Sequence, residues 1–439
     1  MDSVFLPLLA KERAELALPD KKPTLTPAEA KAEAERCLYC ADAPCIKACP
    51  TSIDIPTFIK KIASDNVRGS AKTIFEQNLL GYSCARVCPV EVLCVGSCVY
   101  GAWGREPIAI GRLQRYATEH ATEPGKAPLF ARKKRDAKST KKVACIGAGP
   151  ASLAFAGYLA LEGHEAVVFE KGRLPGGLNT TGIAPYKLHA QDAVHEVEWV
   201  QSFGGVDVKT GVEVGKDVTG KQLLDEYDAV YIGVGLGSDS KLGAPGEDGP
   251  GVVGATAWIE AMKLDPSQRD AVRGKRVLVV GGGNTAIDVA RECAQLGAVE
   301  VTMVYRRGEA DMSGYAHEME AARLDGVHLL THASPVAFRR DADGKLTDLV
   351  VTRNGREEIL PCDLVALAIG QAKIKAIAAQ FPGVQVDAKG CIVADPTNGA
   401  TGNPKVFSGG DCINGGKEVV NAVADGRNSA RHLTKIWST

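Results

Sequence analysis

KKVACIGAGPASLAFAGYLALEGHEAVVFEK, residues 141–171, and GKRVLVVGGGNTAIDVARECAQLGAVEVTMVYRR, residues 274–307, follow one plan. Each runs from an apolar strand through a glycine turn into a helix and on to a second strand. Apolar runs of this kind suit strands covered on both faces, which is the α/β arrangement of parallel strands and crossover helices. A glycine turn between strand and helix places backbone N–H groups and the positive end of the helix where a phosphate can sit. Two such βαβ units predict two nucleotide sites in one chain.

In the first unit, Gly147-Ala148-Gly149-Pro150-Ala151-Ser152 follows an expected strand at 143–146. Gly147 permits the tight turn, Gly149 lets the backbone approach a pyrophosphate, and Ser152 takes the third small position, where helix and strand pack closely. Glu170 ends the second strand about 20 residues on, placed to accept hydrogen bonds from an adenosine ribose. Pro175-Gly176-Gly177-Leu178 would let backbone run close to a flavin. The later stretch Val406-Phe407-Ser408-Gly409-Gly410-Asp411 reads as a strand ending in an aspartate that can hold ribityl hydroxyls. A helix from about Glu418 would point its N-terminus the same way. Together these predict an FAD site.

In the second unit, Gly281-Gly282-Gly283-Asn284-Thr285-Ala286 repeats the turn, with Ala286 as the third small residue. The following strand, 301–305, ends in Arg306-Arg307 instead of an acid. An acid there would bind a free ribose 2′-hydroxyl, whereas arginines suit a 2′-phosphate. NADPH is therefore expected, with NADH as the alternative.

A chain of 439 residues is too long for one core. Residues 1–120 carry helical stretches at 28–35 and 55–63, and residues 121–142 are basic, proline-bearing and aperiodic, as in a linker. The α/β texture starts at Lys141. The expected division is a helical part at 1–120, a linker at 121–142, an FAD-binding part at 143–250 and 363–439, and an NAD(P)H-binding part at 251–362 inserted within it. Net charge is −1, which gives no electrostatic case for nucleic acid or a membrane surface. The apolar run near 277–280 is cut short by glycines, and the first residues lack a basic region and cleavage site, so a cytoplasmic chain is expected.

Eight of the 13 cysteines lie between Cys37 and Cys98. The first group is Cys37-x2-Cys40-x4-Cys45-x3-Cys49-Pro50; the second is Cys84-x3-Cys88-Pro89 and Cys94-x3-Cys98. With no export signal in view, clustered thiols point to metal more than to disulfides. Short spacings let one loop wrap one cluster, and the cysteine before proline in such runs often serves the other cluster. Eight thiolates make two four-thiolate sites by count. The alternatives are free thiols or zinc.

The cysteine run Cys37-Leu-Tyr-Cys40-Ala-Asp-Ala-Pro-Cys45-Ile-Lys-Ala-Cys49-Pro, the Gly-Ala-Gly-Pro-Ala-Ser turn and Phe-Glu170-Lys closely resemble the N-terminal half of dihydropyrimidine dehydrogenases, from about residue 30 to the end. Bacteria carry this half as a separate flavin subunit, and the wider family includes the small subunit of glutamate synthase. The resemblance implies two interleaved [4Fe–4S] clusters, one on Cys37, Cys40, Cys45 and Cys98, the other on Cys49, Cys88, Cys94 and Gln114. Cys84 then becomes a bystander. Glutamate synthase subunits tend to have glutamate near position 114 and lack the Cys-Ala-Asp-Ala-Pro-Cys run. The resemblance further places flavin contacts at Gly149, Pro150, Ala151, Ser152, Glu170, Gly177, Leu178 and Asp411, and at Lys187, where the family often has arginine. It places nicotinamide contacts at Gly283, Asn284, Thr285, Ala286, Arg306, Arg307 and the strand end Ala368-Ile369-Gly370. Ser313 stands where the family has a further arginine. Thioredoxin reductases share the two nucleotide units but need a Cys-x-x-Cys in the second, which here holds only Cys293 and Cys362.

Hydride would pass from nicotinamide to flavin and single electrons to the clusters, with no general acid or base required of this chain. By the same resemblance, an FMN-containing partner subunit would reduce uracil or thymine, so a hetero-oligomer is expected.

Overall fold

A computed structural model describes residues 3–438, and these carry thirteen strands in three sheets. In chain order the strands are β1 (Lys142–Ile146), β2 (Glu165–Glu170), β3 (Val206–Thr210), β4 (Ala229–Ile232), β5 (Val252–Gly254), β6 (Arg276–Val280), β7 (Glu300–Val304), β8 (His328–Leu330), β9 (Ala333–Arg340), β10 (Leu346–Arg353), β11 (Arg356–Pro361), β12 (Leu364–Leu367) and β13 (Val406–Ser408). The first sheet has the order β13-β4-β1-β2-β3 and the second β5-β12-β6-β7-β8. All pairs in both are parallel. The orders superpose with β1 matching β6, so the repeated sequence plan is a repeated topology.

The chain leaves the first sheet after β4, builds the second, and returns for β13. The second nucleotide unit is thus inserted in the first. One expected boundary is corrected: the stretch 363–439 does not belong wholly to the first unit. Strand β12 pairs with β6 and β5, with Leu364 opposite Val277 and Val365 opposite Val252. Its four apolar residues are all buried, and without it β5 would have no strand to pair with in the second sheet. The two connections between units run side by side: Gly237 N–H donates to Ala372 O at 2.8 Å and Ser240 N–H to Gly370 O at 2.9 Å.

The third sheet, β9 to β11, is an antiparallel meander on the second unit. Asn354 and Gly355 both take positive φ between β10 and β11, as a two-residue hairpin turn requires.

Residues before β1 form short helices. Thr26 and Glu29 make a reciprocal capping box that starts the helix Pro27–Glu35. Asp54 caps Ile55–Ala63, whose Ile55, Phe58, Ile59 and Ile62 are buried. This helical part shares one hydrophobic core with the first nucleotide unit: Ile74, Phe75 and Leu79 join Phe155, Leu159 and Val200. Glu196 of the helix Ala190–Gln201 is buried and accepts hydrogen bonds from Tyr82 N, Ser83 N and Ser83 Oγ. Burial pushes its carboxyl up to about 7, against the pull of those donors.

The 121–142 stretch continues the helix Ile110–Thr122 by two residues and then runs extended along the first unit. Lys133 N–H donates to Leu161 O at 2.9 Å and Arg135 Nε to Glu162 O at 2.6 Å, so the linker is pinned to the end of the helix Pro150–Leu161.

Candidate cofactor sites

The first turn is built as a phosphate turn must be. Gly147 has φ 84°, and a side chain there would meet the carbonyl of Gly233 at 2.9 Å. Pro150 starts the helix with Gly149 as its N-cap, where a missing N–H costs nothing. Ser152 is fully buried, and a Cβ on Gly233 would lie 2.3 Å from its hydroxyl, so no larger side chain fits. Ala151 is buried just behind.

Glu170 accepts hydrogen bonds from Ala148 N–H at 2.8 Å and Gly172 N–H at 2.7 Å. The carboxylate expected to meet a ribose therefore also fixes the glycine turn. Gly177 has φ 56°, and its added Cβ would touch Gly149 Cα at 2.8 Å. Leu178 opens the short helix Leu178–Thr181 and is 36% exposed. The late strand comes back to the same place: a Cβ on Gly410 would be 3.0 Å from Ala151 Cβ. Asp411 accepts from Lys417 N–H at 3.0 Å, and burial pushes its carboxyl up. Glu418 stands at the N-cap position of the helix Val419–Trp437, and its side chain accepts a hydrogen bond from Tyr315 Oη at 2.7 Å.

Lys187 corrects the expectation drawn from the family arginine. Its ammonium lies 2.7 Å from Asp288 and 3.2 Å from Glu318, both in the second unit. Tyr186 donates to the same Asp288 at 2.6 Å, while Lys21 and Arg291 also reach Glu318. These charges form a seam between the units. Burial would raise the carboxyl of Glu318, but Lys187 and Lys21 outweigh it and hold the group at about 2, against an ordinary 4.5. A depressed folded value stabilises the fold above the unfolded pKa and loses that contribution as pH falls. On the order of 3 kcal/mol of stability should therefore disappear between about pH 4.5 and 2. Glu318→Gln should flatten this part of a urea-denaturation profile against pH, and an unchanged slope would contradict the seam.

The second turn opens on a cavity of about 500 Å³. Of the expected nicotinamide contacts, Gly283, Thr285, Arg306, Arg307, Ala368, Ile369 and Gly370 line it. Asn284 and Ala286 do not: Asn284 Oδ1 accepts from Tyr315 N–H at 2.9 Å, and Ala286 is fully buried in the helix Asn284–Gln295. Gly281 has φ 148° and lies so close to Ala368 that an added Cβ would meet its carbonyl at 2.3 Å. Arg306 is exposed and makes no hydrogen bond or ion pair among the described residues, whereas Arg307 donates to Tyr305 Oη at 2.8 and 3.1 Å. The sequence reading missed Asp239 and Thr256, which also line the cavity. The signal was the glycine-rich run 233–238 after β4.

Cys37, Cys40, Cys45 and Cys98 line one cavity, walled by Pro44, Ile55, Ile59 and Ile110. Burial and the neighbouring Cys37 and Cys98 thiols push the Cys45 thiol up to about 11. Cys94 is raised by burial and by the nearby Cys88 and Cys49. Cys37, Cys40, Cys45 and Cys98 thus come together from both sequence groups, and Cys94 has thiols of both groups near it. Cys84 is buried next to Cys88 and, with burial, raises the Cys88 thiol. Gln114 is buried, and its amide nitrogen donates to Gly81 O at 2.8 Å. Among the described residues no three or more His, Cys, Asp or Glu side chains converge as on a single metal ion. Four thiolates on one tetrahedral ion stand about 3.8 Å apart, and a cuboidal cluster spreads them farther. Four soft donors around one cavity fit such a cluster, and a glycine turn that any Cβ would block fits a dinucleotide.

A helical cysteine-rich part, a flavin-type turn and a nicotinamide-type cavity define an NAD(P)H oxidoreductase with iron–sulfur, flavin and nicotinamide cofactors. Residues 16–126 match the family described as dihydropyrimidine dehydrogenase domain II, 4Fe–4S cluster, and residues 141–426 match pyridine nucleotide-disulphide oxidoreductase. The chain belongs to the pyridine nucleotide-disulphide oxidoreductase family and carries that 4Fe–4S domain in front. It is 36% identical to the Halomonas elongata glutamate synthase [NADPH] small chain, over 97% of this chain and 93% of that one. It is 35% identical to the NAD-dependent dihydropyrimidine dehydrogenase subunit PreT of Escherichia coli O157:H7, over 95% and 96%. The T. acidophilum thioredoxin reductase matches over 68% of this chain and 100% of its own at TM-score 0.57 and 20% identity, a likeness of fold. Among the described residues no helix is long and apolar enough to cross a membrane.

Proposed function

We propose that the chain is the electron-input subunit of a dihydropyrimidine dehydrogenase, working with an FMN-containing subunit that reduces uracil or thymine. The observation that carries this reading is the cysteine cavity drawn from both sequence groups, on a domain whose family is named for that enzyme. The Cys-Ala-Asp-Ala-Pro-Cys run and Gln114 favour it over glutamate synthase. The 36% identity to a glutamate synthase small chain supports the second reading, input to that enzyme.

In this reading FAD is held by Gly147, Gly149–Ser152, Glu170, Gly177, Leu178, Gly410 and Asp411. NADPH is held by Gly283, Thr285, Arg306, Arg307 and residues 368–370. One [4Fe–4S] cluster is held by Cys37, Cys40, Cys45 and Cys98, the other by Cys49, Cys88, Cys94 and Gln114. When bound, flavin and clusters supply the conversion of a two-electron hydride into single electrons. The chain's own residues position and insulate. The glycine turns admit the two dinucleotides, and the shared core holds the cysteine loops against the first unit. The second cysteine set adjoins that unit: Arg427 donates to Thr51 O and Gln77 O, and the charge of Glu418 acts on Cys88. The cavity of the first set is lined by Leu38, which is 44% exposed. Electrons would enter by the second set and leave by the first.

The test is anaerobic turnover by the purified chain. NADPH should reduce ferricyanide without help, and uracil only after the FMN subunit is added. Uracil reduction by the chain alone, or productive coupling only to a glutamate synthase large subunit, would overturn the assignment.

A further inference from the structure

The helix Ala255–Leu264 starts at the nicotinamide cavity and ends against the segment that follows Gly177. At its start Ala255 and Thr256 line the nicotinamide cavity. Asp239, on the same cavity wall, accepts hydrogen bonds from Thr256 N–H at 3.1 Å, Thr256 Oγ1 at 2.8 Å and Ala257 N–H at 3.0 Å. At its other end Lys263 is fully buried. The Lys263 ammonium donates to Asn179 O at 2.9 Å, Ile183 O at 3.1 Å and Leu188 O at 2.8 Å. These carbonyls belong to the stretch immediately after Pro175-Gly176-Gly177-Leu178, whose Gly177 touches the first phosphate turn.

Three bonds use every proton an ammonium has. Lys263 makes no ion pair among the described residues; the nearest acids, Glu15, Glu292 and Asp192, act only through their field. An unpaired buried ammonium is costly, and an apolar side chain would fill the same space at less cost. What Lys263 adds is geometry: from the second unit it gathers three carbonyls of the segment that follows Gly177.

We propose that Lys263 is a positioning residue that couples the two nucleotide sites. A nucleotide against the first turn of the helix fixes a rigid rod about 15 Å long, and Lys263 carries that constraint to residues 178–188. By linkage, flavin in the first site tightens nucleotide binding in the second by the same factor. This rests on the placement of FAD and NADPH given under Proposed function.

The test uses the flavin-loaded full chain and NADP+. In the unaltered chain, NADP+ should slow amide hydrogen exchange at 178–188, although none of these residues lines the nicotinamide cavity. NADP+ should also bind the flavin-loaded chain about five-fold more tightly than the deflavinated one. In Lys263→Met that ratio should fall to one. Unchanged exchange at 178–188 with both ligands bound overturns the proposal, and does so even if the variant fails to fold; a variant that keeps the ratio overturns it too. A chain that binds no flavin or no NADP+ overturns the placement of the two nucleotides instead, which absorbance and equilibrium dialysis on the same samples report directly.

Discussion

Cys98→Ser should lower electron delivery to the partner subunit at least ~100-fold while NADPH-driven ferricyanide reduction stays within about two-fold. Cys98 comes from the second cysteine group but lines the cavity of the first. A serine hydroxyl is a poor soft donor, so one corner of the cluster is lost with it. Iron per chain should fall by about half, and the low-temperature EPR spectrum of the reduced chain should lose one of two components. The flavin and nicotinamide sites lie in other parts of the fold, which is why the dye reaction survives. Retention of full iron content and of partner reduction would remove Cys98 from the ligand set. Cys84→Ser is the matched comparison. It should leave both activities in place if Gln114 is the eighth ligand, and should cost the second cluster if Cys84 is.

Arg306→Glu should reverse coenzyme preference, lowering the ratio of kcat/KM for NADPH to that for NADH about 100-fold. Arg306 is exposed at the end of β7, lines the cavity and has no partner among the described residues, so its guanidinium is available for a 2′-phosphate. A charge-assisted hydrogen bond of that kind contributes ~1.5–3 kcal/mol. A carboxylate in its place repels the phosphate and accepts from a free 2′-hydroxyl. Arg307, held by Tyr305, should show the smaller effect. The names of the relatives point both ways, one to NAD and one to NADPH. The measurement is a pair of steady-state titrations, and an unchanged ratio would place the phosphate elsewhere.

Both nucleotide units were readable because their signals are local. Strand, glycine turn, helix and second strand lie within about 30 residues, and each residue is chosen by backbone geometry. The insertion was readable for the same reason, since the echo at 274–307 interrupts a unit that Val406–Asp411 completes. The edge of the insertion was not. Residues 364–367 are an apolar run with no sign of which sheet they join, and only pairing with β6 decides it. Lys187 shows the limit of positional analogy. Its partners are Asp288 and Glu318, some hundred residues away, and no spacing rule connects them. Lys263 looks from sequence like one more charge on an amphipathic helix. The Asn354-Gly355 pair between β10 and β11 is a local hairpin signal of the same kind, and the sequence reading passed over it.

The shared core has a consequence for synthesis. The helical part is closed partly by Arg427, which reaches back to Thr51 and Gln77 from the helix Val419–Trp437. That helix also lies along Pro150–Leu161, and Gly426 is packed so tightly that an added Cβ would meet Ala151 O at 2.1 Å. At ~5–20 residues per second, Trp437 leaves the ribosome roughly 20–70 s after Cys98. For that interval all eight clustered thiols belong to an unfinished chain, open to oxygen and to the wrong metal. Iron insertion must therefore either hold them during translation or wait for the helix Val419–Trp437 to arrive.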